Sequence, residues 1–365
     1  IPAEVVKLLI AKGAEASYTA DYDETARDLA AKRGDTEVTR LLGGTPRHAS
    51  SPAVMPGQPA AAANTPRQAV TKAMALLEKQ SYNFIRISGC NSCHSQDLPS
   101  AAAALARTRG YAAPKEIPQL PSSMQAPPER LMDLNFVAVT GLAWELFDLG
   151  MNGSPRTHYT DAAVRGIKAM QTSAGNWDTN EGRRPPMSSG EFQATALSIY
   201  SLKHYGPPAE KASTDKAIAR ARVWLESAKP TTTQDRAFRL LGLAWSGGNA
   251  ETVREAAQAL RQTQRSNGGW AQFETLDTDA YATGEALYAL RVAGKMPATD
   301  PTFRKGADFL LRTQGSDGSW HVKSRSIWLQ PYLETGFPYG QDQFISTAGT
   351  AWAAMALSLA DEPRN

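Results

Sequence analysis

Two kinds of apolar pattern alternate along residues 67–360 and predict two kinds of helix. In the first kind, apolar residues recur at helical spacing beside charged ones, so one face is buried and the helix lies outside. The second kind is small and apolar on most faces and must be buried all round. Helices of the first kind are predicted at 67–82, 158–171, 213–228, 250–264 and 302–314. Helices of the second kind are predicted at 99–109, 134–149, 191–205, 235–246, 279–294 and 345–360.

The regular alternation of outer and inner helices predicts an all-α fold that closes into a six-pair α/α toroid. Six inner helices and five outer partners are clear from the pattern. The remaining outer partner, around 115–131, is interrupted by prolines at 118, 121, 127 and 128, which cannot donate helical hydrogen bonds. No stretch is predicted to form a strand.

Three outer helices end in the same motif, Gln-x3-Gly-x-Trp, at Gln171–Trp177, Gln264–Trp270 and Gln314–Trp320. Glycine ends the helix because it adopts positive φ at little cost. The glutamine amide is expected to satisfy free backbone groups there, and the tryptophan to fold back onto a helix end. These motifs resemble the repeats of the squalene-hopene cyclase and prenyltransferase toroids.

Residues 1–42 contain a different repeat, in which Glu4–Leu9 returns as Glu37–Leu42 after an offset of 33 residues. The segment resembles the end of an ankyrin array, and a lone amphipathic helical hairpin is the alternative. Because at least three repeats are usually needed to bury their faces, we expect it to pack on upstream repeats, a partner subunit or the following domain. Residues 43–66, rich in proline and alanine, are predicted to be a linker.

The amino-acid composition narrows the range of possible functions. The chain of 365 residues is 42% hydrophobic and 21% charged, with a net charge of +3, so it is globular and carries no signal for nucleic acid. No apolar window is long enough to span a membrane. The chain has two cysteines, Cys90 and Cys93, which exclude a disulfide framework but allow one dedicated site.

Cys90-Asn91-Ser92-Cys93-His94 has the c-type haem attachment pattern. At this spacing both thiols can form thioethers with the haem vinyl groups, and His94 can ligate the iron. The site would lie in the first loop from an outer to an inner helix. A redox dithiol, a zinc site and a structural disulfide are the alternatives.

A second axial ligand is predicted on the same rim of the ring. His321 directly follows the last Gln/Trp motif, and the sixth helix pair of a closed ring abuts the first, so His321 is the preferred candidate. Met124, Met132 and an open position are the alternatives. Lys323 and Arg325 are candidates for pairing with haem propionates.

The catalytic motifs of the resembled toroid families are only partly present in this sequence. Cyclases of the resembled family protonate an alkene with an Asp-x-Asp-Asp motif, and Asp277-Thr278-Asp279-Ala280 lacks its last aspartate. Asp279 begins an inner helix, so capping is the simpler interpretation. Prenyltransferases of this type bind zinc through a late cysteine, and no cysteine follows Cys93.

Taken together, the sequence resembles bacterial proteins that join ankyrin repeats to a squalene-cyclase-like ring with a Cys-x-x-Cys-His motif. It predicts a c-type cytochrome: an exported, periplasmic protein that transfers electrons through one covalent haem c to a protein redox partner. The alternatives are an enzyme that uses the ring cavity, either a residual terpenoid cyclase acting through Asp279 or a haem peroxidase, and a purely structural protein-binding module.

Overall fold

The computed structural model describes residues 2–19, 24–44, 65–119, 138–179, 185–186, 190–326 and 333–361. Met124, Met132, most of the predicted linker and the predicted outer helix near 115–131 lie largely or wholly outside these ranges. None of the described helices is long and apolar enough to cross a membrane.

The prediction of an all-α fold is confirmed, with helix ends within a few residues of the expected ones at most positions. The outer helices are α4 (Pro66–Ser88), α7 (His158–Ala169), α9 (Lys211–Ser227), α11 (Ala250–Arg261) and α13 (Pro301–Thr313). The inner helices are α5 (Leu98–Thr108), α6 (Ala138–Met151), α8 (Glu191–Tyr205), α10 (Thr233–Trp245), α12 (Ala280–Val292) and α14 (Gln343–Ser358).

The inner helices form a closed ring. Each packs against the next in the order α5, α6, α8, α10, α12, α14, and α14 packs back against α5. The outer helix α13 also contacts α4, so the outer layer closes at the same place. The predicted toroid is therefore confirmed, with the last repeat seated on the first.

All three Gln/Trp motifs adopt one geometry. The Gln314 amide donates to the carbonyl of Gly318 at 3.0 Å and to that of Ala69, in the first turn of α4, at 2.9 Å. The Trp320 indole N–H donates to the Leu310 carbonyl at 2.8 Å. The motifs at Gln171 and Gln264 make the equivalent bonds, with their amides reaching α9 and α13. Each glutamine thus ties its own turn to the next outer helix.

The motif glycine is required by both conformation and space. Gly318 has φ of +93°, and a Cβ built on it would lie 2.7 Å from the backbone carbonyl carbon of Lys72 in α4. Any side chain there would push the last repeat away from the first.

One expectation was wrong in detail, because a short β-ribbon is present. Trp270–Ala271 (β1) pairs antiparallel with Thr278–Asp279 (β2), directly before α12. The Gly268-Gly269 turn and the motif tryptophan fix β1 in place, and two residues per strand are too few to show as an alternating pattern.

Aromatic side chains fill the middle of the ring. Trp144, Phe238 and Trp352, from α6, α10 and α14, have ring centroids 6.2–6.5 Å apart and are almost fully buried. Tyr288 of α12 lies 5.4 Å from Trp352. Edge-to-face contacts of this kind stabilise a core beyond simple burial.

The N-terminal helices are α1 (Ala3–Ala11), α2 (Ala26–Ala31) and α3 (Glu37–Leu41). They are seated on the rim of the ring rather than apart from it. Lys32 is 7% exposed, and its ammonium donates to Glu24 and to the Ser326 carbonyl at 2.9 Å. The Thr275 hydroxyl donates to the Arg33 carbonyl at 2.6 Å.

The glutamine link predicts a large and local stability cost. Replacing Gln314 with alanine leaves the Ala69 and Gly318 carbonyls buried without that donor, so we expect a loss of about 2–4 kcal/mol in the free energy of unfolding. Urea denaturation measures it. Gln262→Ala removes an exposed glutamine directly after α11, outside the motif, and should change stability by less than about 0.5 kcal/mol. Equal effects of the two substitutions would disprove the proposed link.

The seating of the N-terminal helices is tested by two glycines that both have positive φ. A Cβ on Gly34 (φ +79°) would lie 1.9 Å from the Thr275 carbonyl oxygen, whereas a Cβ on Gly13 (φ +91°) meets nothing within 4 Å. We expect Gly34→Ala to release α1–α3 from the ring and speed proteolysis before residue 45. Gly13→Ala carries the same backbone strain without the clash, and should leave the cleavage rate near that of the unmodified protein.

Candidate active site

Asp279 stands at the start of an inner helix, held between the β-ribbon and α12. Its Oδ1 accepts the Ala282 backbone N–H at 2.8 Å, which makes it the N-cap of α12 and confirms the predicted capping role. Its Oδ2 accepts the Gln272 amide at 2.8 Å. Burial nevertheless raises the pKa of Asp279 to about 6, with these donors opposing the shift.

A second layer of contacts fixes Gln272. The Arg325 guanidinium donates to Gln272 Oε1 at 2.6 Å and lies over the Phe273 ring, 4.5 Å from its centroid. Arg325 is 6% exposed, and burial lowers its pKa to about 10. Arg325 therefore orients the amide that touches Asp279 and places a positive charge behind it.

Glu285 lies two turns along α12 and is 1% exposed. Its Oε1 accepts the Gln234 amide at 3.1 Å, and the same amide donates to the Tyr281 hydroxyl at 2.9 Å. Its Oε2 is buried with no hydrogen-bond partner among the described residues. Burial, together with the nearby Asp279 charge, raises the pKa of Glu285 well above its ordinary value.

A separate carboxyl cluster lies in the first repeats. Burial and the charges of Asp148 and Glu145 raise the pKa of Asp97 well above its ordinary value. Burial likewise raises the pKa of Asp148 to about 7, although its carboxylate accepts bonds from Gln119 at 3.0 Å and from Asn152 at 2.8 Å. The pKa values of Asp97 and Asp148 are thus raised in one shared site, and no basic side chain is among the causes of either shift.

The Cys-x-x-Cys-His motif lies between α4 and α5, as predicted. Cys90 is exposed and Cys93 is half-buried at the start of a π-helical turn, Cys93–Asp97. The His94 ring is packed edge-on by Phe84 and Phe344, with centroids 5.6 and 5.0 Å away. Cys93 hydrogen-bonds the Asp97 carboxyl, which links the motif to the carboxyl cluster.

The predicted partners of that motif are engaged elsewhere. His321 Nε2 bonds the Asp342 carboxylate at 2.8 Å, and the imidazole stacks on Tyr339 at 4.4 Å. Lys323 is exposed. Arg325 instead contacts Gln272 beside Asp279, a placement that the sequence pattern does not predict.

Comparison with known proteins bears on the Asp279 site. The model of the squalene-hopene cyclase N-terminal domain matches residues 223–322, a stretch that includes Asp279 and Glu285. The chain is 36% identical over 135 residues to a squalene–hopene cyclase from Bradyrhizobium diazoefficiens, covering 36% of this chain and 19% of that protein. It is 31% identical over 111 residues to the lanosterol synthase of Saccharomyces cerevisiae, covering 30% of this chain and 14% of that protein.

The chain therefore spans less than a fifth of the length of these curated relatives in the matched regions. Among solved structures, the type II terpene cyclase MstE from Scytonema superposes with a TM-score of 0.45 and 13% sequence identity, covering 80% of this chain and 97% of that chain.

The prediction of a c-type cytochrome that transfers electrons is wrong. The matched relatives and the matching family model point to cyclases, and the family model matches residues 223–322, within the ring and outside the Cys90–His94 motif. Among the described residues, no group of three or more His, Cys, Asp or Glu side chains could hold a metal ion. Covalent attachment of haem c, the ligand role of His321, export and a redox partner are not tested by these findings and stay predictions.

Sequence reasoning overlooked Glu285, Asp148 and Asp97. A signal was present for the first two: Glu285 is the one acidic residue of the mainly apolar run 280–290, and Asp148 lies with Glu145 in the otherwise apolar run 142–149. An acidic side chain on a helix buried all round must be neutral or paired, which marks it as a candidate for function.

The raised pKa of Glu285 predicts how stability depends on pH. Because the folded state keeps the proton above the unfolded pKa of 4.5, stability falls as pH rises from about 4.5 towards the folded pKa. Glu285→Gln is neutral at every pH and should remove up to about 1.4 kcal/mol of that loss per pH unit. Denaturation of both proteins from pH 4.5 to 8 measures the slope. Parallel curves for the two proteins would mean that Glu285 is ionised in the fold.

Proposed function

We propose that this chain is an acid-initiated cyclase of linear isoprenoid alkenes, with Asp279 as the proton donor. The observation that carries the proposal is a half-buried carboxyl at the start of α12, held by two N–H donors, whose pKa is raised to about 6. Similarity to cyclases over residues 223–322, which contain this carboxyl, supports it. A general acid works best when its pKa lies near the working pH.

The proposed step balances within the site. The O–H bond of the Asp279 carboxylic acid breaks as its proton forms a C–H bond with one carbon of an alkene, which leaves a carbocation at the other carbon. The carboxylate that remains is held by the Gln272 amide and the Ala282 N–H, both at 2.8 Å. Donors already aimed at the charge that develops lower the barrier without reorganisation.

Glu285 keeps the charge of the site low. Since burial and the Asp279 charge both raise its pKa, ionisation of Asp279 disfavours ionisation of Glu285. The negative charge that forms on Asp279 faces the Arg325 side chain through Gln272. Arg325 and Gln272 are positioning residues in this proposal.

The aromatic layer of the ring supplies the other requirement of such a reaction. Tyr288 lies nine residues after Asp279, about 13 Å along the α12 axis, and joins Trp352, Trp144 and Phe238. The faces of aromatic rings attract cations, and Trp does so best. We propose that this layer faces the far end of the substrate, where carbocation charge would move during ring closure.

The test is product formation from squalene and from shorter linear isoprenoid alkenes, followed by mass spectrometry. In deuterated buffer the unmodified protein should form cyclic products that each carry one deuterium from the initiating acid. Asp279→Asn keeps a side chain suited to capping but cannot protonate an alkene, and should lower the rate at least about 100-fold.

Asp300→Asn is the matched control. Asp300 is the N-cap of the outer helix α13, where its carboxylate accepts the Thr302 N–H at 2.7 Å. The substitution changes the same chemical group at the same kind of helix position, but on an outer helix, and should keep full activity. The proposal fails if no cyclic product forms, or if Asp279→Asn and Asp300→Asn behave alike.

A further inference from the structure

Residues 32–34 form a turn between α2 and α3 that bonds two separate loops of the ring. The Lys32 ammonium donates to the Ser326 carbonyl at 2.9 Å. The Thr275 hydroxyl donates to the Arg33 carbonyl at 2.6 Å. The two loops lie far apart in the sequence, so the 32–34 turn bridges them from the rim of the ring.

The same two loops carry the side chains that position Asp279. Arg325 directly precedes Ser326, and its guanidinium donates to Gln272 Oε1 at 2.6 Å. Gln272 lies shortly before Thr275, and its amide donates to Asp279 Oδ2 at 2.8 Å. The loops are thus joined twice, by the bond between Arg325 and Gln272 beside the acid and by the turn on the rim.

Phe273, which directly follows Gln272, makes a further contact between the turn and the site. Its ring centroid lies 4.5 Å from the guanidinium carbon of Arg325 and 5.3 Å from that of Arg33. The faces of aromatic rings attract cations. Burial lowers the pKa of Arg325, and the like charge of Arg33 lowers it further, so the two cations lie near each other. They share Phe273 as an aromatic neighbour.

We infer that the 32–34 turn is a positioning element for Asp279, because it fixes from the rim the two loops that bring Gln272 and Arg325 to the acid. The three N-terminal helices would then belong to the catalytic unit instead of forming a separate binding module. The consequence for catalysis rests on the proposed function, whereas the ionisation of Asp279 can be measured without it.

Detaching the turn should make Asp279 a weaker acid. Burial raises the pKa of Asp279 to about 6, and the Gln272 amide and the Arg325 charge oppose that shift. When the loops are no longer held, both opposing contacts weaken, so the pKa rises further. Glu285 is coupled to Asp279 by charge but is held by Gln234 of α10, so its contribution should stay the same.

The test is a titration of Asp279 in the full-length chain by carbon-13 NMR of labelled aspartate carboxyl groups, with Asp279→Asn to identify the signal. A Cβ on Gly34 would lie 1.9 Å from the Thr275 carbonyl oxygen, so Gly34→Ala should raise the pKa of Asp279 by at least about 0.5. Gly13 also has positive φ, but a Cβ on it meets nothing within 4 Å. Gly13→Ala should therefore titrate like the unmodified protein.

Two ion pairs of the N-terminal helices give a second comparison that adds no bulk. Lys32, which bonds the ring, pairs with Glu24 at 2.6 Å in a buried position. Lys7 pairs with Glu37 at 2.7 Å in an exposed position. Lys32→Met together with Glu24→Gln removes the donor to the loop without leaving a buried charge unpaired, and should raise the pKa of Asp279. Lys7→Met together with Glu37→Gln should leave that pKa unchanged.

A double-mutant cycle tests whether the turn acts through Gln272. Gln272→Leu removes the amide donor and should by itself raise the pKa of Asp279. Adding Gly34→Ala to Gln272→Leu should then shift the pKa by less than about half of what Gly34→Ala does alone, because substitutions along one chain of contacts are not additive.

Two outcomes would overturn the inference. One is the same Asp279 titration in Gly34→Ala and Gly13→Ala. The other is a full shift that persists with Gln272→Leu, since the N-terminal helices would then act by covering the site and not by positioning its donors. The titration needs no substrate, so a failure of the proposed function appears separately, as cyclisation that survives Asp279→Asn.

Discussion

The fold depends on one recurring interaction: a glutamine amide that donates to two backbone carbonyls, one in its own turn and one in the next outer helix. The outer helices are amphipathic and could slide along the ring if apolar contact alone held them, since the hydrophobic effect has no direction. A buried glutamine amide that bonds two fixed carbonyls allows only one position of each outer helix relative to the next. The tryptophan two residues after the glycine then covers the bond, as Trp320 does when its indole N–H caps Leu310. At Gln314 the bond reaches Ala69, so the device that joins neighbours also closes the ring.

The helices, the ring and this glutamine bond could be predicted from two signals. One is the spacing of apolar residues along the chain, and the other is the repeated Gln/Trp motif. An inner helix such as 345–360 has no polar face, and three copies of Gln-x3-Gly-x-Trp state the same requirement independently. The site was harder to predict because its residues are far apart in the sequence and meet only in the folded structure. Gln272, Arg325 and Gln234 come from three separate segments, and nothing in the pattern of each indicates that they converge near Asp279 and Glu285. The seating of Lys32 and Gly34 on the rim was likewise invisible, since it involves backbone carbonyls at Ser326 and Thr275.

The error about function has a physical lesson. The spacing of Cys90, Cys93 and His94 is specific over five residues, but it carries no information on the chemistry of the domain around it. In the structure His94 is packed by Phe84 and Phe344, and Cys93 is tied to a buried acid. Asp279 caps α12 through the Ala282 N–H and also accepts the Gln272 amide, so its carboxylate has two N–H donors in place.

The bond between Gln314 and Ala69 joins residues 245 positions apart, and this separation governs how the chain must fold. At about 5–20 residues per second, a ribosome needs roughly 12–50 seconds to make that interval. During this time the first outer helix has been made but its last neighbour has not. The apolar faces of α4 and α5 that pack on α13 and α14 are still uncovered. Each new helix pair can pack on the one before it. The ring nevertheless stays open, with an exposed apolar surface at each end, until the last repeat is made. Closure is thus the slow, non-local step of folding, and truncation near the carboxyl terminus would leave every earlier pair formed and the molecule still open.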